Sequence, residues 1–301
     1  MELAKETGFD LVGFSKAEIL EKETAQLEEW LSNNYHAGMS YMARNVEKRK
    51  DVRKILSNAE SVISVGLNYY NKGEFSGDGN YGKVSRYAWG KDYHFVMWEM
   101  LEELTSKLKS MDENFESVYY VDTGPVMDKA WAQRSGIGWL GKHSNIITRQ
   151  LGSWIFLGEI ITNYKFSYNE PQPDFCGTCT ACLDACPTNA IVENYVVDSS
   201  KCISYLTIEN KDEIPNEFLG KFENWIFGCD ICQDVCPWNK KFSRQTGHPG
   251  LKNIKNKELK IDEILNMNNK EFKSKFKDSP IYRAKLKGLK RNAEFIKKND
   301  S

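Results

Sequence analysis

Eight cysteines, all between Cys176 and Cys236, are the residues best equipped for chemistry in this 301-residue chain. The first four read Cys176-x2-Cys179-x2-Cys182-x3-Cys186-Pro187. That is bacterial ferredoxin spacing: three thiolates wrap one [4Fe–4S] cubane, and the fourth, before proline, reaches to a second. A second run, Cys229-x2-Cys232-x3-Cys236-Pro237, lacks only its first cysteine, which Cys202 can supply. The spacing therefore assigns Cys176, Cys179, Cys182 and Cys236 to one cluster. Cys186, Cys202, Cys229 and Cys232 go to the other, and none is left over. Zinc ribbons use paired Cys-x2-Cys units, and a run of three with a fourth before proline is unusual for them. Two clusters make an electron wire, but the spacing does not say what the wire feeds.

Outside the cysteines, Asp122 is the most informative residue. It follows the apolar run Val118-Tyr119-Tyr120-Val121 and opens the turn Thr123-Gly124-Pro125. A carboxyl there is expected to lose hydration, which would raise its pKa and make it a candidate general acid. The commoner case is a turn aspartate that hydrogen-bonds the next backbone amides. His36, His94 and His143 are further candidates, although a lone histidine is usually structural or exposed. Asp92-Tyr93-His94 begins like the Asp-x-His-x-x-Gly signature of histidine-ligated cobalamin, but position 97 is Met and the signature fails. Gly136-x-Gly138-x-x-Gly141 has the letters of a dinucleotide loop. It follows a predicted helix rather than a strand, so that reading is weak.

The elements that must position these residues can be read from periodicity. Ser61–Tyr70, Glu116–Val121 and Trp154–Ile161 read as strands, with a long loop at 71–82 after the first. Ala17–Trp30, His94–Leu108 and Val126–Ser135 read as helices. Gly136–His143 reads as a glycine-rich loop. The mixture predicts an α+β layered domain over residues 1–165. A boundary is expected near Pro171-Gln-Pro173, where composition changes. Residues 166–250 then hold the clusters, and 251–301 read as a lysine-rich helical tail.

Composition narrows the function classes. The chain is 41% hydrophobic and 28% charged, with net charge −1, which describes a globular protein and not a general polyanion binder. No stretch approaches the roughly 18 apolar residues that a membrane span needs. The N-terminal Met-Glu-Leu-Ala-Lys-Glu-Thr lacks the basic start and apolar core of a signal peptide, so a cytoplasmic location is expected. A reducing compartment favours metal or redox cysteines over disulfides. Residues 251–301 carry 15 Lys/Arg against 7 Asp/Glu, net +8, and leave the first 250 residues at net −9. Such a tail could meet a polyanion such as RNA, or be a solvated amphipathic helix.

Taken in order, several segments resemble the epoxyqueuosine reductase family of tRNA queuosine biosynthesis. They are Gly38-Met-Ser-Tyr-Met-Ala-Arg-Asn45, Ser85-Arg-Tyr-Ala-Trp-Gly-Lys-Asp-Tyr-His94 and Val121-Asp-Thr-Gly-Pro125. Gly138-Trp-Leu-Gly-Lys-His-Ser-Asn-Ile146, both cysteine runs and Cys202-Ile-Ser-Tyr-Leu-Thr-Ile208 complete them, covering about residues 1–295. Many members continue into a small HEAT-like helical extension, whereas this chain stops soon after Leu289-Lys-Arg-Asn-Ala, so its tail is expected to be truncated.

The resemblance implies a nitroreductase-like domain that holds cobalamin without a strong protein ligand to cobalt, beside a ferredoxin-like domain. It implies that the two clusters feed cobalamin, that the epoxide of epoxyqueuosine at the tRNA wobble position is reduced, and that Asp122 is the proton donor. Cobalamin contacts carried over by resemblance are Arg44, Asn45, Ser85, Asp122, Lys142, Asn145, Ile146, Ser204, Thr207 and Glu209. For the tRNA backbone the candidates are Lys211, Lys273, Lys277, Arg283, Lys287, Lys290 and Arg291. An external donor such as a ferredoxin or flavodoxin is expected, and a monomer. Rival readings are a reductive dehalogenase-like enzyme, which is disfavoured by the absence of a twin-arginine signal, a plain electron carrier, and an RNA-binding protein stapled by its clusters.

Overall fold

The computed structural model describes residues 1–298. Its centre is an antiparallel sheet of four strands in the spatial order Leu11–Lys16, Ser61–Asn68, Ile155–Thr162 and Ser117–Tyr120. Ser61–Asn68 is buried along its whole length, as an uninterrupted apolar run should be when both faces are covered. In the register, Glu159 lies directly opposite Ser64 on one side and Tyr120 on the other, so these three side chains share a face.

Each face of the sheet is closed by a helix. On one, Tyr93–Met111 buries Val96, Met97, Met100, Leu101 and Leu104, a three-four spacing that makes one stripe. That stripe packs on Ile63, Val65 and Ile160. On the other, Asp128–Arg134 buries Trp131, which joins Val62, Val126 and Ile161. Its C-terminal end comes down hard on the first strand. A side chain at Gly13 would place its Cβ 2.1 Å from the Ser135 carbonyl oxygen, so only glycine fits there. The helix that presents Asp128 to the sheet is therefore fixed by backbone contact.

The predicted strands and helices are present with shifted ends, and the apolar run at Leu11 is also a strand. Several short strands went unread in the sequence, among them Tyr81–Val84, Trp225–Phe227 and Glu258–Lys260. These three form a second sheet with Tyr81–Val84 in the middle, parallel to Trp225–Phe227 and antiparallel to Glu258–Lys260. The glycine-rich loop contains one more, Trp139–Leu140, paired with Ile146–Ile147.

Residues 251–298 differ from a free basic tail. The Lys285–Lys297 helix buries Leu289, Ala293 and Ile296 against Phe227, Ile264 and Phe276, in one core with the second sheet. Lys285, Lys287 and Lys297 mark its outer face, while Arg291 is buried. Among the described residues, no helix is long and apolar enough to cross a membrane.

Candidate active site

The cysteines divide between two cavities. Cys176, Cys179, Cys182 and Cys236 line a small cavity of about 150 Å³, walled by Phe175 and Trp238. Cys186, Cys202, Cys229 and Cys232 line a larger cleft of about 410 Å³. This is the partition that spacing assigned, and all eight thiols are unpaired. Among the described residues, no three Cys, His, Asp or Glu converge closely enough to hold a single metal ion.

The donor chemistry fits clusters too. Backbone amides aim at sulfur: Ala190 N–H donates to Cys186 Sγ at 3.3 Å, and amides of Ser204 and Tyr205 donate to Cys202. Thiols are weak acceptors and thiolates good ones. Burial pushes the Cys229 and Cys232 thiols well up. Thiolates at such positions need the charge of bound iron to offset desolvation. Lys142 holds the first loop by donating to the carbonyls of Gly177 at 2.8 Å and Cys179 at 3.0 Å.

The larger cleft lies between these sulfurs and the end of the central sheet, where Tyr69, Phe156 and Leu157 form an apolar wall. Asp122 stands at its rim. The residue has a left-handed backbone, φ +45°, which aspartate tolerates better than most residues. Its carboxyl is gripped from the start of the Tyr93–Met111 helix. The Tyr93 hydroxyl donates to one oxygen, and His94 Nε2 lies 2.9 Å from the other. His94 Nδ1 lies 2.8 Å from Asp92, which also caps the helix by accepting from the His94 amide. Tyr93 is stacked flat on Phe156, ring centroids 4.2 Å apart.

Burial alone would lower the His94 pKa. Its hydrogen bonds to Asp122 and Asp92 outweigh that and raise it to about 9, so the ring is an imidazolium at neutral pH. The Asp122 side chain remains 47% exposed. The strand stops at Tyr120 and the carboxyl swings to the rim.

Other sequence candidates separate into two groups. Asn145 and Ser204 line the cleft, as does Ser85, whose Oγ is spent on Asp230 at 2.5 Å. Asp230 sits between Cys229 and Cys232 and is also held by half-buried Arg86 at 3.0 Å, so Ser85 and Arg86 fix that cysteine loop. Arg44 is exposed and, with Asn45, lies away from the cleft-lining residues. Glu209 pairs with Arg283 at 2.5 Å, and both charges act on Tyr41 and Tyr87.

Four assignments by resemblance are corrected. Ile146 is 2% exposed and packs in an apolar core. Thr207 is fully buried, donating to Ile203 O at 2.7 Å and accepting from Gly228 N. Lys142 belongs to the small cavity rather than the cleft. Arg291 is buried and donates to the carbonyls of Leu206, Asn210 and Asp212, each at 2.7 Å, so it cannot reach a phosphate. Lys211, Lys273, Lys277 and Lys287 are exposed, and Lys290 is half-buried.

Sequence reasoning missed Lys129, whose Nζ donates to Ser144 O at 2.7 Å and to Asn145 Oδ1 at 3.2 Å across the cleft. It underrated His94, whose partner lies 28 residues away. His143 lines both cavities, and burial and then Lys129 push its pKa down to about 4, leaving it neutral.

Comparison with known proteins decides the family. Residues 175–239 match a family model described as a 4Fe-4S double cluster binding domain, and residues 49–123 one described as epoxyqueuosine reductase QueG, DUF1730. An epoxyqueuosine reductase of Leadbetterella byssophila is 50% identical over 298 residues, covering 98% of this chain and 96% of the relative. The chain belongs to the epoxyqueuosine reductase family. A relative from Synechocystis sp. is 47% identical over 275 residues, covering 90% of this chain and 94% of the relative. A solved epoxyqueuosine reductase with an epoxyqueuosine-modified tRNA-Tyr stem loop superposes with a TM-score of 0.92 at 34% identity, over 99% of this chain and 80% of that one. Another, from Bacillus subtilis and described with its catalytic aspartate loop swung out of the active site, gives the same score, identity and coverage.

Proposed function

We propose that this protein reduces epoxyqueuosine to queuosine at the wobble position of tRNA, with Asp122 as the proton donor. Family membership supports the reaction. The observation that carries the residue assignment is the Asp122 carboxyl, held by Tyr93 and His94 at the rim of a cleft whose far wall is Cys186, Cys202, Cys229 and Cys232.

The cleft fits cobalamin: a broad apolar wall, amide and hydroxyl groups of Asn145 and Ser204, and the Lys129 ammonium. Cobalamin, when bound, supplies the two-electron reducing chemistry at carbon. What the chain supplies is a route for electrons from the cysteine-held clusters, a shielded wall and a placed acid. Asp122 must hold a proton when the epoxide is bound: it gives this proton to the epoxide oxygen as the carbon–oxygen bond opens, because an alkoxide is a poor leaving group, and returns to the carboxylate that pairs with His94 in the free protein. The cationic His94 then stabilises the carboxylate left behind, and Tyr93 keeps it aimed.

Residues 1–165 are read as the nitroreductase-like cobalamin domain, 166–250 as the ferredoxin-like domain, and 251–301 as a helical basic tail, of which 299–301 lie outside the described residues. Arg283, Lys211, Lys287 and Lys290 are offered to the tRNA backbone. A ferredoxin or flavodoxin is the electron donor, and the protein acts as a cytoplasmic monomer.

The test is an anaerobic turnover assay with reconstituted protein, a strong reductant and epoxyqueuosine-containing tRNA, with and without cobalamin. Nucleoside mass spectrometry should show loss of one oxygen only when cobalamin is present. Intact epoxide in the presence of loaded clusters and cobalamin would overturn the proposal.

A further inference from the structure

Beneath Asp122 lies a pair of carboxyl groups that the chemistry above does not use. Glu159, in the middle of the Ile155–Thr162 strand, is 0% exposed. Among the described residues, no N–H or O–H reaches either of its oxygens. The carboxyl of Asp128 interacts with it, and Asp128 Oδ1 is likewise buried with no donor in reach. Two charged carboxylates side by side without donors repel each other, so one carries a proton. Asp128 has a second role, because it also lines the cleft.

The surroundings favour a single shared proton. From its own helix Asp128 feels Lys129, from the Val46–Lys50 helix the buried Arg49, and from the rim loop Asp122. Glu159 feels Asp128 and Asp122, with the neutral Ser64 and Tyr120 opposite it in the sheet. Burial raises the pKa of both, and most strongly that of Glu159, so the proton rests on Glu159 and is donated to Asp128. The pair titrates as a unit.

Removal of an epoxide oxygen as water takes up two electrons and two protons and leaves a carbon–carbon double bond. The electrons come from the external donor through the clusters, on the reading given above, on which this inference rests. The first carbon–oxygen bond breaks with a proton from Asp122. The second breaks as the resulting hydroxyl takes another proton and leaves as water. His94 is a poor source for it, because two carboxylates hold its proton in place.

We propose that Asp128 and Glu159 store the second proton and deliver it into the cleft through Asp128, with Glu159 as the reservoir behind it. The pair is left with two carboxylates in an apolar interior, and that imbalance draws a proton back from the cleft before the next turnover.

Glu159→Gln is the discriminating variant. The amide keeps an N–H for Asp128 but has no proton to give. Loaded wild-type enzyme, E159Q and D128N would be compared with an epoxyqueuosine stem loop across pH, alongside infrared spectra of the carboxylic acid C=O stretch. The expected result is a kcat about 10²-fold lower in both variants with KM unchanged. E159Q should lose the fall in kcat that the wild type shows as the pair deprotonates, and should lose the buried-acid C=O band. Wild-type kcat and pH profile in E159Q would overturn the proposal and make the pair structural. Failure of the wild type itself to remove the oxygen would instead bring down the reduction reading, and this inference with it.

Discussion

The rim and the floor of the cleft both carry acids, and the fold treats them in opposite ways. Asp122 is on a loop, 47% exposed, and held by a cation and a hydroxyl. Asp128 and Glu159 are packed between a helix and a strand, and hold each other. At the rim, position comes from side-chain hydrogen bonds that a loop movement can break. At the floor it comes from sheet register and from backbone contact at Gly13. A group that must meet a bulky substrate can tolerate movement, whereas a group that stores a proton needs exclusion of water.

The largest effect expected is at the rim. D122N should lower kcat by about 10²–10⁴-fold while both clusters and stem-loop affinity stay intact. Near-normal turnover in that variant would remove the distinction between rim and floor. Next is the D122N/E159Q double variant. If the two acids serve successive steps of one reaction, its loss should fall short of the product of the single losses. Full multiplicativity would separate the floor from the reaction path.

H94Q should cost about tenfold in kcat, because Asp122 loses a charged partner. His94 also carries a stability signature. Its folded pKa, about 9, lies above the ordinary value near 6.5. Its contribution is complete below about pH 6.5 and is lost as pH rises through about 9. Thermal melts of wild type and H94Q should therefore converge at alkaline pH, and parallel curves would argue against a charged His94.

The same contrast recurs in the C-terminal helix and gives the smallest effect. R291A should destabilise the fold by about 3 kcal/mol, because three carbonyls, that of Leu206 fully buried, lose their donor. K287A should leave stability unchanged and reduce the salt slope of tRNA binding by less than about one unit. A reversed pattern in denaturant melts and binding titrations would mean that the faces of this helix have been misassigned.

What the sequence shows plainly is what is local. Cysteine spacing is set within a few residues of each thiol, so the partition into two cavities was readable. The central strands and long helices follow from short-range periodicity. What was hidden depends on distant contact. His94 looks like a lone histidine until the chain returns at Asp122. Glu159 is flanked by Gly158 and Ile160, and nothing in those neighbours says that its partner is Asp128. Arg291 reads as part of a basic face because helical spacing cannot tell which arginine meets the carbonyls of Asn210 and Asp212. The short strand Tyr81–Val84 is stabilised by partners more than 140 residues later.

That last strand has a consequence for how the protein is made. Its two neighbours, Trp225–Phe227 and Glu258–Lys260, straddle the second cysteine run. The loop that carries Cys229 and Cys232 therefore cannot settle until the ribosome has released most of the chain. A fragment ended at residue 250, which looks like a natural ferredoxin module on paper, would lack an edge of the sheet that steadies its own cysteines.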